Sequence, residues 1–126
     1  MASKPDRERR EFPRMWMRLA LSYRVVESVR GGQSLTKNVG GRGIRFLTDQ
    51  PLHLGTKLEI TLSPPDRPKP IIFVGEVVWS EMRHDPAYRA PMVDVGVRFV
   101  KIDPRDQQFL VQYSELYGSS ESPEAA

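Results

Sequence analysis

Six short stretches of this chain are strand-like, alternating apolar with polar residues or rich in β-branched ones, and no helical stretch separates them. Parallel strands need a crossover of roughly a dozen or more residues, so strands spaced this closely must pair antiparallel. The first runs from Arg18 to Val26, where Leu19, Leu21, Tyr23 and Val25 alternate with Arg18, Ala20, Ser22 and Arg24. That is the period-two signature of a strand with one buried face. Gly31-Gly32 is read as its break, Ser34 to Asn38 begins a second strand, and glycines at 40, 41 and 43 mark a tight turn into a third, Ile44 to Leu47.

Thr56 to Leu62 alternates again through Leu58, Ile60 and Leu62. The proline-dense run from Ser63 to Pro70 cannot continue a ladder, because proline donates no amide, and it is read as a loop. Ile71 to Trp79 and Met92 to Val100 complete the set, with Pro86 and Pro91 between them. After them, Asp103-Pro104 supplies a helix cap with proline at the first helical position. Phe109, Leu110, Tyr113, Leu116 and Tyr117 then recur at helical spacing up to Gly118. In a chain of 126 residues, closing the sheet removes its exposed edges. The expected fold is therefore mainly β, a six-stranded antiparallel β-barrel with one C-terminal α-helix. Residues 1–7 are expected to form a mobile N-terminal arm, 8–118 the barrel domain, and 119–126 a disordered tail with nothing to bury.

Charge and composition narrow the function. The segment Met1 to Arg18 carries Lys4, Arg7, Arg9, Arg10, Arg14 and Arg18 against Asp6, Glu8 and Glu11, whereas Asp103 to Ala126 is acidic. Acids interspersed in a basic arm make a poor glove for a long polyanion, so no DNA or RNA partner is expected and a small phosphate ligand fits better. The chain has no cysteine, which suits a reducing cytoplasm and removes thiolate chemistry. His53 and His84 each stand without a second ligand at zinc-site spacing, so no metal is expected. No apolar run approaches the ~18 residues of a membrane span, and no membrane insertion is expected. Neither a nucleophile–base pair nor clustered carboxylates stand out, so the chain is not read as an enzyme.

Two segments carry the candidate site. Arg9-Arg10-Glu11-Phe12-Pro13-Arg14 offers guanidinium forks that pair with phosphate and stack on bases. Asn38-Val39-Gly40-Gly41-Arg42-Gly43 offers an amide for a base edge and a glycine turn for close backbone approach. Guanine O6 and N7 are acceptors suited to an arginine fork. The pair resembles the PilZ domain, the bacterial receptor module for cyclic diguanylate (c-di-GMP), whose pattern is RxxxR followed by [D/N]xSxxG. Ile71 to Trp79 is similar to the family's strand ending in valine-tryptophan, and Val95-Gly96-Val97-Arg98-Phe99-Val100 to its last strand.

This resemblance implies a PilZ-like barrel that binds c-di-GMP and no other cofactor, and passes the signal to a protein partner not identified by the sequence. Arg10 and Arg14 are then placed on the phosphates and guanine faces, Asn38 on a guanine edge, and Gly43 beneath the ligand. Arg9 stands where the family's residue before RxxxR influences whether one ligand or a stacked pair is held, and points to a pair. Arg14 and Arg18 also form an RxxxR, but Arg18 already heads the alternating strand. Gly40 replaces the family's serine and removes a hydroxyl, a change worth up to about tenfold in affinity.

Other readings compete less well. A degenerate PilZ-like interaction module without nucleotide is the alternative from another class. Arg42 to Leu47 partly resembles the RNP1 element of RNA-recognition domains, but Ile44 occupies an aromatic stacking position and the first helix of that fold is missing. The Gly40 to Gly43 turn leads into a strand, which excludes a dinucleotide-fold fingerprint. Trp16, Trp79, Phe46 and Phe73 are read as core or barrel-wall aromatics rather than a stacking platform.

Overall fold

A computed structural model describes residues 15–84 and 86–121. Arg9, Arg10 and Arg14, the arm 1–7 and the last five residues of the tail lie outside the described residues. The chain forms β1 (Met15–Trp16), β2 (Ala20–Val25), β3 (Gly31–Val39), β4 (Gly43–Thr48), β5 (Lys57–Ser63), β6 (Ile71–Arg83), β7 (Met92–Lys101) and α1 (Pro104–Tyr117). Every pairing is antiparallel. The order β3-β2-β5-β6-β7-β4 closes through β3–β4, giving the expected six-stranded barrel, with β1 added beside β3.

Alternation places one residue in two inside. Leu58, Ile60 and Leu62 on β5 and Phe46 on β4 are fully buried, and Tyr23 packs on Phe46 with ring centroids 5.3 Å apart. Phe73 meets Phe99 edge-on at 4.7 Å. Burying one such side chain contributes about 1.5–3 kcal/mol, so the alternating face holds the closed sheet together.

Gly31 and Gly32 do not interrupt the sheet as expected; they open β3 and pair with Arg24 and Tyr23. A Cβ on Gly31 would stand 2.3 Å from the Tyr23 carbonyl oxygen, so glycine here permits close strand approach rather than a turn. Of the aromatics read as core or barrel-wall residues, Phe46 and Phe73 are buried in the core and Trp79 is exposed on the outer wall.

The sequence capping signals operate at both ends of α1. Asp103 accepts a hydrogen bond from the Arg105 amide at 2.8 Å, and the Gly118 amide donates to the Ser114 carbonyl at 2.8 Å. Leu110 and Tyr113 enter the core, but Leu116 and Tyr117, which share the helical periodicity, are exposed. Antiparallel order sends the 40–42 turn, the 64–70 loop and the β7–α1 connection to one end of the barrel, and α1 lies over that end. Gln107 of α1 donates to the Gly41 carbonyl, and Arg67 of the proline loop pairs with Asp106 at 2.6 Å. Ser119, placed in the tail by its composition, exchanges two backbone hydrogen bonds with Trp16, at 2.7 and 2.9 Å.

Candidate functional site

The residues that follow the arginine motif are zipped onto the strand that carries Asn38. Met15, the residue after Arg14, pairs with Val39, and Trp16 pairs with Asn38. The zipper continues as the Met17 amide donates to the Lys37 carbonyl at 3.0 Å. Thr36 locks it, its hydroxyl accepting from the Leu19 amide at 2.8 Å and donating to the Met17 carbonyl at 2.6 Å. A buried threonine has few other ways to satisfy its hydroxyl, which fixes the path from arm to barrel. Arg18, the alternative motif arginine, is exposed in the connection between β1 and β2.

The 38–43 turn is held from three sides. The Gly40 amide donates to the Gly43 carbonyl at 3.0 Å, the Phe99 amide of β7 donates to the Arg42 carbonyl at 2.8 Å, and Gln107 of α1 bonds Gly41. Asn38 is buried and pairs with both Trp16 and Arg45. Gly40 has no left-handed backbone; among the described residues the glycine with positive φ is Gly55, at 88°. Gly43 pairs with Arg98 on β7. Among the sequence-derived candidates, Asn38, Gly40 and Gly43 are thus brought together in one turn beside the arm's root, while the three arginines fall outside the described residues.

Sequence reasoning missed the charged cluster next to this turn. Asp94 on β7 is wholly buried and receives Arg45 Nε at 2.8 Å and Arg45 Nη2 at 2.6 Å, a two-pronged pairing. Lys37 Nζ bonds it at 3.2 Å, and Arg83 Nε lies 3.2 Å away without a hydrogen-bonding alignment. Burial pushes the Asp94 carboxyl up, but the hydrogen bonds and charges of Arg45 and Lys37 outweigh it and hold the group below its ordinary range. Glu81 stands 3.8 Å from Arg83 at the edge, so three cations meet two carboxylates and the cluster stays net positive among the described residues. A lone aspartate in an alternating strand carries no signal for this. Its partners come from β3, β4 and β6, distant in sequence.

No group of histidine, cysteine, aspartate or glutamate with metal-holding geometry occurs among the described residues. No helix among them is long and apolar enough to cross a membrane.

A closed six-stranded antiparallel barrel, one appended strand and a helix over the end that carries a glycine turn define a recognisable class of small β-domain. The model of the PilZ domain matches residues 8–116, and the chain belongs to the PilZ domain family. Solved structures share the fold. The Bacillus subtilis inhibitor of motility MotI (DgrA) superimposes with a TM-score of 0.68 at 20% identity, covering 86% of this chain and 50% of that one. The PilZ domain with c-di-GMP of YcgR from Escherichia coli gives 0.67 at 14% identity, covering 86% and 90%. The K. pneumonia MrkH–c-di-GMP complex gives 0.68 at 14% identity, covering 83% and 49%. The chain therefore spans about half the length of the MotI and MrkH chains it matches. No curated protein sequence matches it.

Proposed function

We propose that this domain is a receptor for c-di-GMP, binding it between the arginine arm and the 38–43 turn and presenting the altered surface to a protein partner in the bacterial cytoplasm. The observation that carries this reading is the rung pairing Trp16 with Asn38: it sets Met15 and Trp16, the residues just after Arg14, beside the strand that leads into the turn, which supports a site built from both halves of the motif. Two of the similar structures hold c-di-GMP, and the family membership supports the same ligand. Arg10 and Arg14 take the phosphates and guanine faces, Asn38 a guanine edge, and Arg9 the extra acceptors of a stacked pair. The domain acts by binding, without catalysis.

Titration of the purified chain with c-di-GMP tests the reading. Arg10→Ala and Arg14→Ala are each expected to weaken binding by about 1.5–3 kcal/mol, roughly 10- to 150-fold, with the melting temperature unchanged. Unaltered affinity in both variants removes these residues from the site. Calorimetry is expected to give two ligands per chain, and Arg9→Leu to shift that toward one. The substitution of glycine at position 40 for the family's serine is the one observation that favours an interaction module without nucleotide; absence of c-di-GMP binding by the wild-type chain would overturn the receptor reading and leave that alternative standing.

A further inference from the structure

One row of paired residues crosses the outer wall beside the turn. Trp16 on β1 pairs with Asn38 on β3, Asn38 with Arg45 on β4, Arg45 with Gly96 on β7, and Gly96 with Trp79 on β6. Residues paired across antiparallel strands share a face, and the neighbours Val39, Ile44 and Val97 are buried in the core, so this row faces outward. The Arg45 guanidinium carbon lies 4.8 Å from the Trp79 ring centroid and 5.7 Å from that of Trp16, both within cation–π range. The same guanidinium grips Asp94 with two nitrogens, and Asp94 is fully buried. A planar fork bonded at both nitrogens to a fixed carboxylate has little rotational freedom left.

Resting on the reading above, we propose that Arg45 is the positioning residue of the nucleotide site: Asp94 fixes its guanidinium, and the fixed guanidinium seats Trp16, holding the root of the arginine arm across Asn38 before ligand arrives. Trp16 is two residues beyond Arg14. Its indole rests on Arg45 while its backbone lies in register beside Asn38 on one side and exchanges two hydrogen bonds with Ser119 on the other. Prior ordering of a binding segment spares the ligand the entropy of fixing it, so seating Trp16 raises affinity without Arg45 touching ligand. A positioning role depends on planarity and two-pronged geometry. A role as a simple positive charge for phosphate depends on neither.

The chain has two tryptophans, so Trp79→Phe leaves Trp16 as its single indole reporter. In that background, and without nucleotide, Arg45→Met is expected to shift Trp16 emission and increase its quenching by acrylamide. In the otherwise wild-type chain, Arg45→Met is expected to weaken c-di-GMP binding by about 3- to 30-fold, the worth of a cation–π contact converted to affinity. Arg45→Lys keeps the charge but not the fork, and is expected to resemble Arg45→Met in both measurements. It also carries the test if Arg45→Met fails to fold, as judged by its melting curve.

Unchanged Trp16 emission and quenching in these variants overturns the proposal, as does full restoration of c-di-GMP affinity by lysine. Failure of the wild-type chain itself to bind c-di-GMP overturns the receptor reading and the affinity claim that rests on it. The ligand-free fluorescence distinguishes that result from a failure of Arg45 to seat Trp16.

Discussion

Gly43→Ala is expected to damage the barrel itself, whatever the chain binds. A Cβ at this position would stand 1.9 Å from the Val97 carbonyl oxygen and 2.9 Å from both the Val97 carbonyl carbon and the Arg98 α-carbon. All three atoms are backbone, so no side-chain rotamer relieves the contact, and β4 must part from β7 by about an ångström at the first rung of their ladder. Overpacking of this kind costs about 1–3 kcal/mol, and a backbone neighbour puts the change near the upper end. At roughly 4 °C per kcal/mol for a domain of this size, the melting temperature should fall by about 10 °C. Thermal melts followed by circular dichroism without ligand would measure it, and amide exchange at Phe99, which bonds the Arg42 carbonyl, would locate the loosening. A variant that melts within about 2 °C of wild type yet loses c-di-GMP affinity would refute the argument and make Gly43 a ligand contact instead.

Because Gly40 has no left-handed backbone, Gly40→Ser is expected to leave the melting temperature in place and to strengthen c-di-GMP binding by up to about tenfold; titration and a melt on the same protein check it. Asp94 is held below the ordinary aspartate value of about 3.9, so its contribution to stability is complete above that pH and is lost as pH falls through the depressed value. Asp94→Asn should therefore be less stable than wild type by about 1.5–3 kcal/mol at pH 7, with the gap closing in denaturant titrations repeated below about pH 4. Asp103→Ala removes the acceptor for the Arg105 amide and should lower stability in the same titrations.

Local chemistry is enough to read much of this molecule. The alternation of Leu58, Ile60 and Leu62 needs only the two-residue repeat of a strand, and these side chains are buried as that repeat requires. The Asp103-Pro104 start and Gly118 end of α1 are likewise legible because capping acts within a few residues. The order of the two PilZ motifs along the chain was legible as well. Gly31-Gly32 was not: a glycine pair looks the same whether it turns the chain or admits a neighbouring strand, and the Tyr23 backbone that distinguishes the two is brought there only by pairing.

Helical spacing alone gave Leu116 and Tyr117 the same standing as Leu110 and Tyr113. Only the placement of α1 over one end of the barrel separates the buried pair from the exposed one. The two-residue β1 was too short for any periodicity to register, yet it joins the arm to Asn38 and to Ser119. The Asp94 cluster depends most on tertiary structure. Lys37, Arg45, Arg83 and Asp94 lie on four strands, and each alone has the pattern of an ordinary outward residue. A strand's repeat determines which face a side chain takes; which charges meet there, and whether water still reaches them, is decided by strand register across the closed barrel.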